Sequence, residues 1–296
     1  MFFRTDLAQE AREYLGDKID GIRMEEKKGE YLSVVRMHVD SMEAAEKIGK
    51  PVGTYITLEL PPFSDDYREP EEKIRTAAAE LSRLLPEKGL VLVAGLGNCN
   101  ITPDNLGPLT AREVLATRHI RGELARSSGL DQLRPVAVIA PGVLGQTGIE
   151  TGELIASLVK RLQPSAVIVV DALASRSLKR LGCTLQICNT GISPGAGVGN
   201  ARPEISRRTL GVPVIGVGIP TVVDAATLAA DLVGEGWEEQ DLAVLRDQVS
   251  PRGEAMMVTP REVDLLVERG ARVTAMAINC ALHPAYSLSD LQMLVS

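Results

Sequence analysis

The chain has 296 residues, 45% of them hydrophobic and only 3% aromatic, with 27 glycines, so it can bury a large core of Ala, Val, Ile and Leu in which helices pack closely on a sheet. A formal charge of −7 argues against direct nucleic-acid binding, which uses a basic surplus. No apolar run approaches the roughly 20 residues of a membrane span, Met1-Phe2-Phe3-Arg4 lacks signal-peptide order, and Cys99, Cys183, Cys188 and Cys280 match no zinc spacing, which predicts free thiols and a cytoplasmic protein.

The first 69 residues read as an N-terminal strand and helix segment. Helical spacing over 6–16 ends on Gly16, and the charged run 18–30 reads as a solvated segment. Alternating apolar and polar residues over 31–39 and 53–60 predict two half-exposed strands, joined by a helix over 41–48. From Pro70 the pattern becomes regular: helix 71–85, strand 90–94, helix 109–117, strand 136–140, helix 149–162, strand 166–170. This alternation predicts βαβ units and a mostly parallel central sheet with helices on both faces, an α/β/α sandwich. A weaker strand over 182–189, a Gly-rich loop over 191–202 and a short buried strand over 214–217 follow, with Thr221 placed to cap a helix reaching Leu232. Residues 234–260 are acidic and irregular, and 260–270 and 271–282 read as terminal helices with Thr259 as a cap. The whole reads as a single α/β domain with 234–296 as a C-terminal helical extension.

Two carboxylates stand where an open α/β sheet places ligands, at the carboxyl ends of buried strands. The run Val91-Leu-Val-Ala94 stops at Gly95-Leu-Gly97, and the polar loop beyond it presents Asn98, Asn100 and Asp104. Ala166-Val-Ile-Val-Val170 delivers Asp171 to the same layer. Two carboxylates facing one crevice can divide base and acid roles toward a water molecule. Either aspartate can equally cap a helix or fix its own loop. Gly95-x-Gly97 lacks a third glycine at position 100, so the dinucleotide fingerprint is partial and no cofactor is implied. The glycine-rich loops holding Gly145 and Gly148, and Gly195, Gly197 and Asn200, can turn backbone N–H groups toward a peptide or an oxyanion, or serve as tight turns. There is no G-x-S-x-G elbow, no H-E-x-x-H helix and no local set of metal donors around Asp104.

Five motifs in order carry a family resemblance: Arg4-Thr-Asp-Leu-Ala8; Gly95-Leu-Gly-Asn98 with Thr102-Pro-Asp-Asn-Leu-Gly-Pro108; Pro141-Gly-Val-Leu-Gly-Gln-Thr-Gly-Ile-Glu150; Asp171-Ala-Leu-Ala174; and Thr190-Gly-Ile-Ser-Pro-Gly-Ala-Gly-Val-Gly-Asn200. Together they resemble the germination proteases, the spore endopeptidases, across essentially the whole chain. The resemblance implies an atypical aspartic-type endopeptidase of the spore core that cleaves small acid-soluble spore proteins, is made as a self-processing zymogen and forms a homotetramer. It carries the essential aspartates onto Asp104 and Asp171, with Asn98, Asn100, Gly145, Gly148, Gly195, Gly197 and Asn200 as candidate substrate contacts. Family members generally have a longer stretch before Arg4 than Met1-Phe2-Phe3, which leaves open a near-mature form or a very short propeptide. The Gly-Leu-Gly-Asn pattern also resembles hydrogenase maturation proteases, implying a related fold. The rival readings are a metal-dependent peptidase of that type and a non-catalytic peptide- or nucleotide-binding module.

Overall fold

Uninterrupted apolar runs become strands buried on both faces, and alternating runs become strands with one wet side. The computed structural model describes residues 5–16, 19–65, 70–199, 202–233, 244, 248–249 and 256–295. Helix α1 (Ala8–Glu13) precedes strands β1 (Ile22–Lys28) and β2 (Ser33–Val39), helix α2 (Met42–Ile48) and strand β3 (Gly53–Glu59). Ser41 accepts the Ala44 amide at the start of α2, and Gly49, at φ 65°, closes it. Then come α3 (Pro70–Ser82), β4 (Val91–Gly95), a 3₁₀ turn at Thr102–Asp104, α4 (Leu106–Glu113), α5 (Gly122–Ser127), β5 (Val136–Ile139), α6 (Leu144–Thr147), α7 (Thr151–Leu162) and β6 (Ala166–Ser175). The remainder is β7 (Thr184–Cys188), α8 (Arg207–Leu210), β8 (Val214–Asp224), α9 (Ala225–Val233), β9 (Met257–Val258), α10 (Val263–Leu282) and α11 (Leu288–Val295).

The strands form one sheet in the order β1-β2-β3-β7-β8-β6-β4-β5, with β9 paired to β8. β8, β6, β4 and β5 run parallel, the core that the strand and helix alternation predicts. From β8 through β7, β3 and β2 to β1 the pairing turns antiparallel. Side chains alternate across this sheet into two cores. Ile74, Leu106, Leu266 and Leu291, from α3, α4, α10 and α11, pack with Val93, Ile168 and Val170 on one face. Ile155 and Val159 of α7 meet Leu92 and Val169 on the other, and cross-strand neighbours carry that face on to Cys188, Tyr55 and helices α1 and α2.

Four sequence expectations change. The charged run 18–30 contains β1, an edge strand whose residues after Ile22 are all exposed, so no apolar alternation marks it; its Lys and Glu side chains suit an edge that must not pair further. β6 does not stop at Val170: it stays paired to β8 as far as Ser175↔Val223, through an irregularity at Leu173/Ala174, and Asp171 lies inside the strand. Thr221 is a residue of β8 rather than a cap, and Asp224 does the capping of α9 by accepting the Thr227 amide at 2.8 Å. The two expected terminal helices are one, α10, which passes unbroken through Gly270, a glycine that the close packing of the helix accounts for, since a Cβ there would crowd Ile219 at 2.8 Å. Thr259 precedes it without capping it, its hydroxyl donating to the Thr221 carbonyl. Most of the acidic stretch 234–260 lies outside the described residues, apart from Met257 and Val258 of β9.

Candidate active site

Backbone packing aims Asp104. β4 ends at Gly95, where a Cβ would lie 2.0 Å from the Gly107 carbonyl oxygen, and a Cβ on Gly107 would meet the Leu96 oxygen at 2.1 Å and the Val170 oxygen at 2.6 Å. Only paired glycines let α4 press this closely on the strand ends. Gly97 has φ 122°, and a Cβ there would overlap the Asp104 carbonyl oxygen at 1.9 Å, so the intervening loop folds back on itself. The fold-back brings the Asn98 amide to Asp104 Oδ2, donating at 2.8 Å. Thr221 Oγ1 donates to the Pro103 carbonyl at 2.7 Å, tying the 3₁₀ turn to β8. Burial pushes the Asp104 carboxyl above its ordinary value, and the Asn98 amide pulls it back down in part.

Asp171 comes from β6 beside the point where β4 ends. It is 7% exposed, and burial first, then the charges of Asp104 and Asp6, hold its carboxyl well above the ordinary range against a bond from the Ala172 amide. The two aspartates therefore titrate unequally: Asp104 keeps the readier charge and Asp171 the more persistent proton.

Both line one cavity of about 580 Å³ at the carboxyl ends of the parallel strands, and Asp6 lines it with them. Of the residues expected to contact substrate, Asn98, Gly145 and Gly195 line this cavity. Asn98 Oδ1 accepts from Gln146 Nε2 at 2.7 Å and from the Asn100 amide at 3.0 Å, so its side chain braces the loop against α6. Asn100 is exposed and Gly148, at φ 71°, ends α6; neither lines the cavity. The Gly197 amide is engaged by the Asp6 carboxylate, which removes it as an oxyanion donor. Asn200 lies outside the described residues.

Four participants escape local sequence reasoning: Asp6, Gln146, and the pair of Arg202 Nη1 with Glu150 Oε1 at 3.2 Å that spans the cavity wall. Each acts through a partner 48 or more residues away, so no local spacing announces it; only the occurrence of Asp6, Gln146 and Glu150 inside the quoted motifs hinted at a role. Among the described residues, no group of three or more His, Cys, Asp and Glu side chains is placed to hold a metal ion, and no helix is long and apolar enough to cross a membrane.

A half-parallel α/β sheet whose strand ends bring two carboxyl groups, both raised by burial and Asp171 the more strongly, to one cavity has the groups that general acid–base chemistry uses. The germination protease family profile matches residues 4–235. The germination protease of Clostridium acetobutylicum is 42% identical over 99% of this chain and 99% of its own, that of Caldanaerobacter subterraneus subsp. tengcongensis 41% over 99% and 98%, and that of Bacillus cereus 36% over 95% and 93%. The chain belongs to the germination protease family, and with it to the peptidases of spore germination. Among solved structures it is similar to the [NiFe] hydrogenase maturation protease HycI of Thermococcus kodakarensis, at 15% identity and a TM-score of 0.37 over 67% of this chain and 98% of that one.

Proposed function

We propose that this peptidase is an aspartic-type endopeptidase that cleaves small acid-soluble spore proteins in the spore core, with Asp104 and Asp171 activating the attacking water. The observation that carries the reading is that the two carboxylates share one cavity with their proton affinities set apart. Asp104, charged, takes a proton from water as its oxygen attacks the scissile carbonyl carbon. Asp171, protonated, donates to the carbonyl oxygen. Asp104 then passes its proton to the leaving nitrogen as the C–N bond breaks, and Asp171 recovers its own from the collapsing diol. Maturation by self-cleavage of an N-terminal segment and assembly into a homotetramer belong to the same reading and are supported by the family membership.

The test is incubation of the purified protein with a small acid-soluble spore protein, followed by separation of fragments. Discrete fragments are expected, and Asp104→Asn and Asp171→Asn should each lower kcat roughly 10²–10⁴-fold while remaining folded. The pH profile should be bell-shaped, with its acid limb from Asp104 above the ordinary carboxylate range and its alkaline limb from Asp171 well above it. Full activity in either variant would remove the pair from the mechanism.

A further inference from the structure

Asp104 rides on a 3₁₀ turn of three residues, an element whose own hydrogen bonds are too few and too poorly aligned to fix a side chain's direction. The turn spends the carbonyls of Ile101 and Thr102 on itself, accepting the amides of Asp104 at 2.8 Å and Asn105 at 3.1 Å. The Pro103 carbonyl is held from outside the turn: it accepts Thr221 Oγ1 at 2.7 Å, from a residue 118 positions along the chain. Because a peptide group is planar, the Pro103–Asp104 unit is fixed at both of its polar ends, its N–H on the turn and its C=O on β8. Where that plane lies decides where the Asp104 Cα sits, and so how its carboxylate meets the Asn98 amide at 2.8 Å.

Strand β8 is shaped to offer this hydroxyl. Its register with β6 passes from Leu173↔Pro220 to Ala174↔Val222, so Thr221 has no partner in that register, as the extra residue of a β-bulge has none. A bulge re-aims a side chain out of the strict alternation of its strand. Pro220, with no N–H to give a ladder, stands beside it, where a proline within a sheet is tolerated. Thr221 is fully buried, so bulk water does not make good a missing hydroxyl.

We propose that Thr221 is a positioning residue for Asp104: its hydroxyl fixes the Pro103–Asp104 peptide, and with it the carboxylate, from a strand in the middle of the sheet. This rests on the two-aspartate reading of the cavity. Asp171 comes from β6, the neighbour of β8, so the bond from Thr221 refers both carboxyl groups to the same pair of strands. The loop that carries Asp104 would otherwise be free to shift against Asp171, and a displacement of the order of an ångström is enough to slow a reaction that depends on two groups acting together.

Thr221→Val keeps the shape of the side chain and removes the donor, whereas Thr221→Ser keeps the donor and removes a methyl group. On a small acid-soluble spore protein, Thr221→Val should lower kcat about tenfold with KM within about twofold, and Thr221→Ser should restore kcat to within about threefold of the unmutated protein. Pro-Asp occurs once in the chain, so ¹³C-carbonyl proline combined with ¹⁵N-aspartate gives a single correlated NMR signal, that of the Pro103–Asp104 peptide. Gly-Asn occurs twice, at 97–98 and 199–200, and the same labelling of glycine and asparagine identifies the Asn98 amide as the signal lost in Asn98→Ser. Both signals should move in Thr221→Val and return in Thr221→Ser. An unchanged kcat in Thr221→Val overturns the proposal, and so does a lowered kcat with neither signal moved. Equal losses in the Val and Ser variants also overturn it, since a restored donor that restores nothing leaves only packing. If the unmutated protein yields no fragments, the cleavage reading fails separately and the Asn98 amide decides: moved in Thr221→Val and returned in Thr221→Ser, it supports the positioning, and unmoved it overturns it. If Thr221→Val does not fold, Thr221→Cys, with a weaker donor, replaces it; lowered kcat with shifted signals supports the proposal, and full activity with unmoved signals overturns it.

Discussion

At the scale of single residues, the site is a problem in where protons sit. Asp171 resists ionisation because it is buried and faces two other carboxylates, so its folded-state proton affinity exceeds that of the unfolded chain. The sign follows from linkage: a group that binds its proton more tightly when folded contributes stability at low pH and loses that contribution as pH rises through its folded value. Asp171→Asn should therefore raise Tm relative to the unmutated protein above that value, and the advantage should vanish on acidification below the ordinary carboxylate range. Thermal unfolding of the two proteins across pH checks this; an Asn variant no more stable at neutral pH would mean that Asp171 carries no burdened charge. That Asp104 and Asp171 reach one layer was legible in the sequence, because each follows an apolar run of strand length. The docking of Asp6 was not, since its partners are a strand 168 residues away and the loop at Gly197, and neither proximity leaves a trace in local spacing.

At the scale of elements, the loop that carries Asp104 is shaped by close packing of backbones. Gly107 is the clearest case, because its helix position has ordinary dihedrals and its conformational freedom is not needed; what matters is that Leu96 and Val170 stand where a Cβ would go. Gly107→Ala must push α4 away from β4 and β6, at a cost of about 1–3 kcal/mol or more for overpacking in a site with backbone neighbours that cannot rotate aside. The displacement would carry Asp104 with it, so cleavage should fall further than the folded fraction explains; urea unfolding with parallel kcat measurement separates the two. Element types were legible wherever period and capping agreed, as in the α2 helix between Ser41 and Gly49. Boundaries failed where tertiary pairing overrides local texture. β8 runs on through Pro220 and Thr221 because β6 pairs beside it, and β6 in turn runs on past Asp171.

At the scale of the whole molecule, the parallel strands have two ends with different burdens. The carboxyl ends hold the cavity, assembled from residue 6, the loops after β4 and β5, β6, the glycine-rich loop and Met257 of β9, so its walls come from nearly the full length of the chain. The amino ends hold His283, which is fully buried and whose Nδ1 accepts the Arg134 amide at 3.2 Å; Arg134 in turn bonds the carbonyl oxygens of Gly89 and Lys88 and the hydroxyl of Ser165. One histidine thus ties the end of α10 to the starts of β4, β5 and β6. Burial and then Arg134 lower its pKa to about 4 from an unperturbed 6.5. Between those values the unfolded chain binds the extra proton and the folded one does not, so this group removes stability as pH falls through the window, up to about 3 kcal/mol once below it. The raised carboxyls of the cavity act in the opposite sense, gaining stability on acidification, and the two ends of the sheet therefore oppose each other over mildly acidic pH. His283→Gln retains an acceptor for the Arg134 amide and removes the titration. It should cost about 1 kcal/mol at pH 8 through imperfect replacement of the buried bond and become relatively more stable than the unmutated protein as the pH approaches 4. Denaturant midpoints collected from pH 8 to pH 4 would show the two curves converging and crossing; parallel curves would mean that His283 binds its proton equally well in the folded and unfolded chain and that the acid response originates elsewhere.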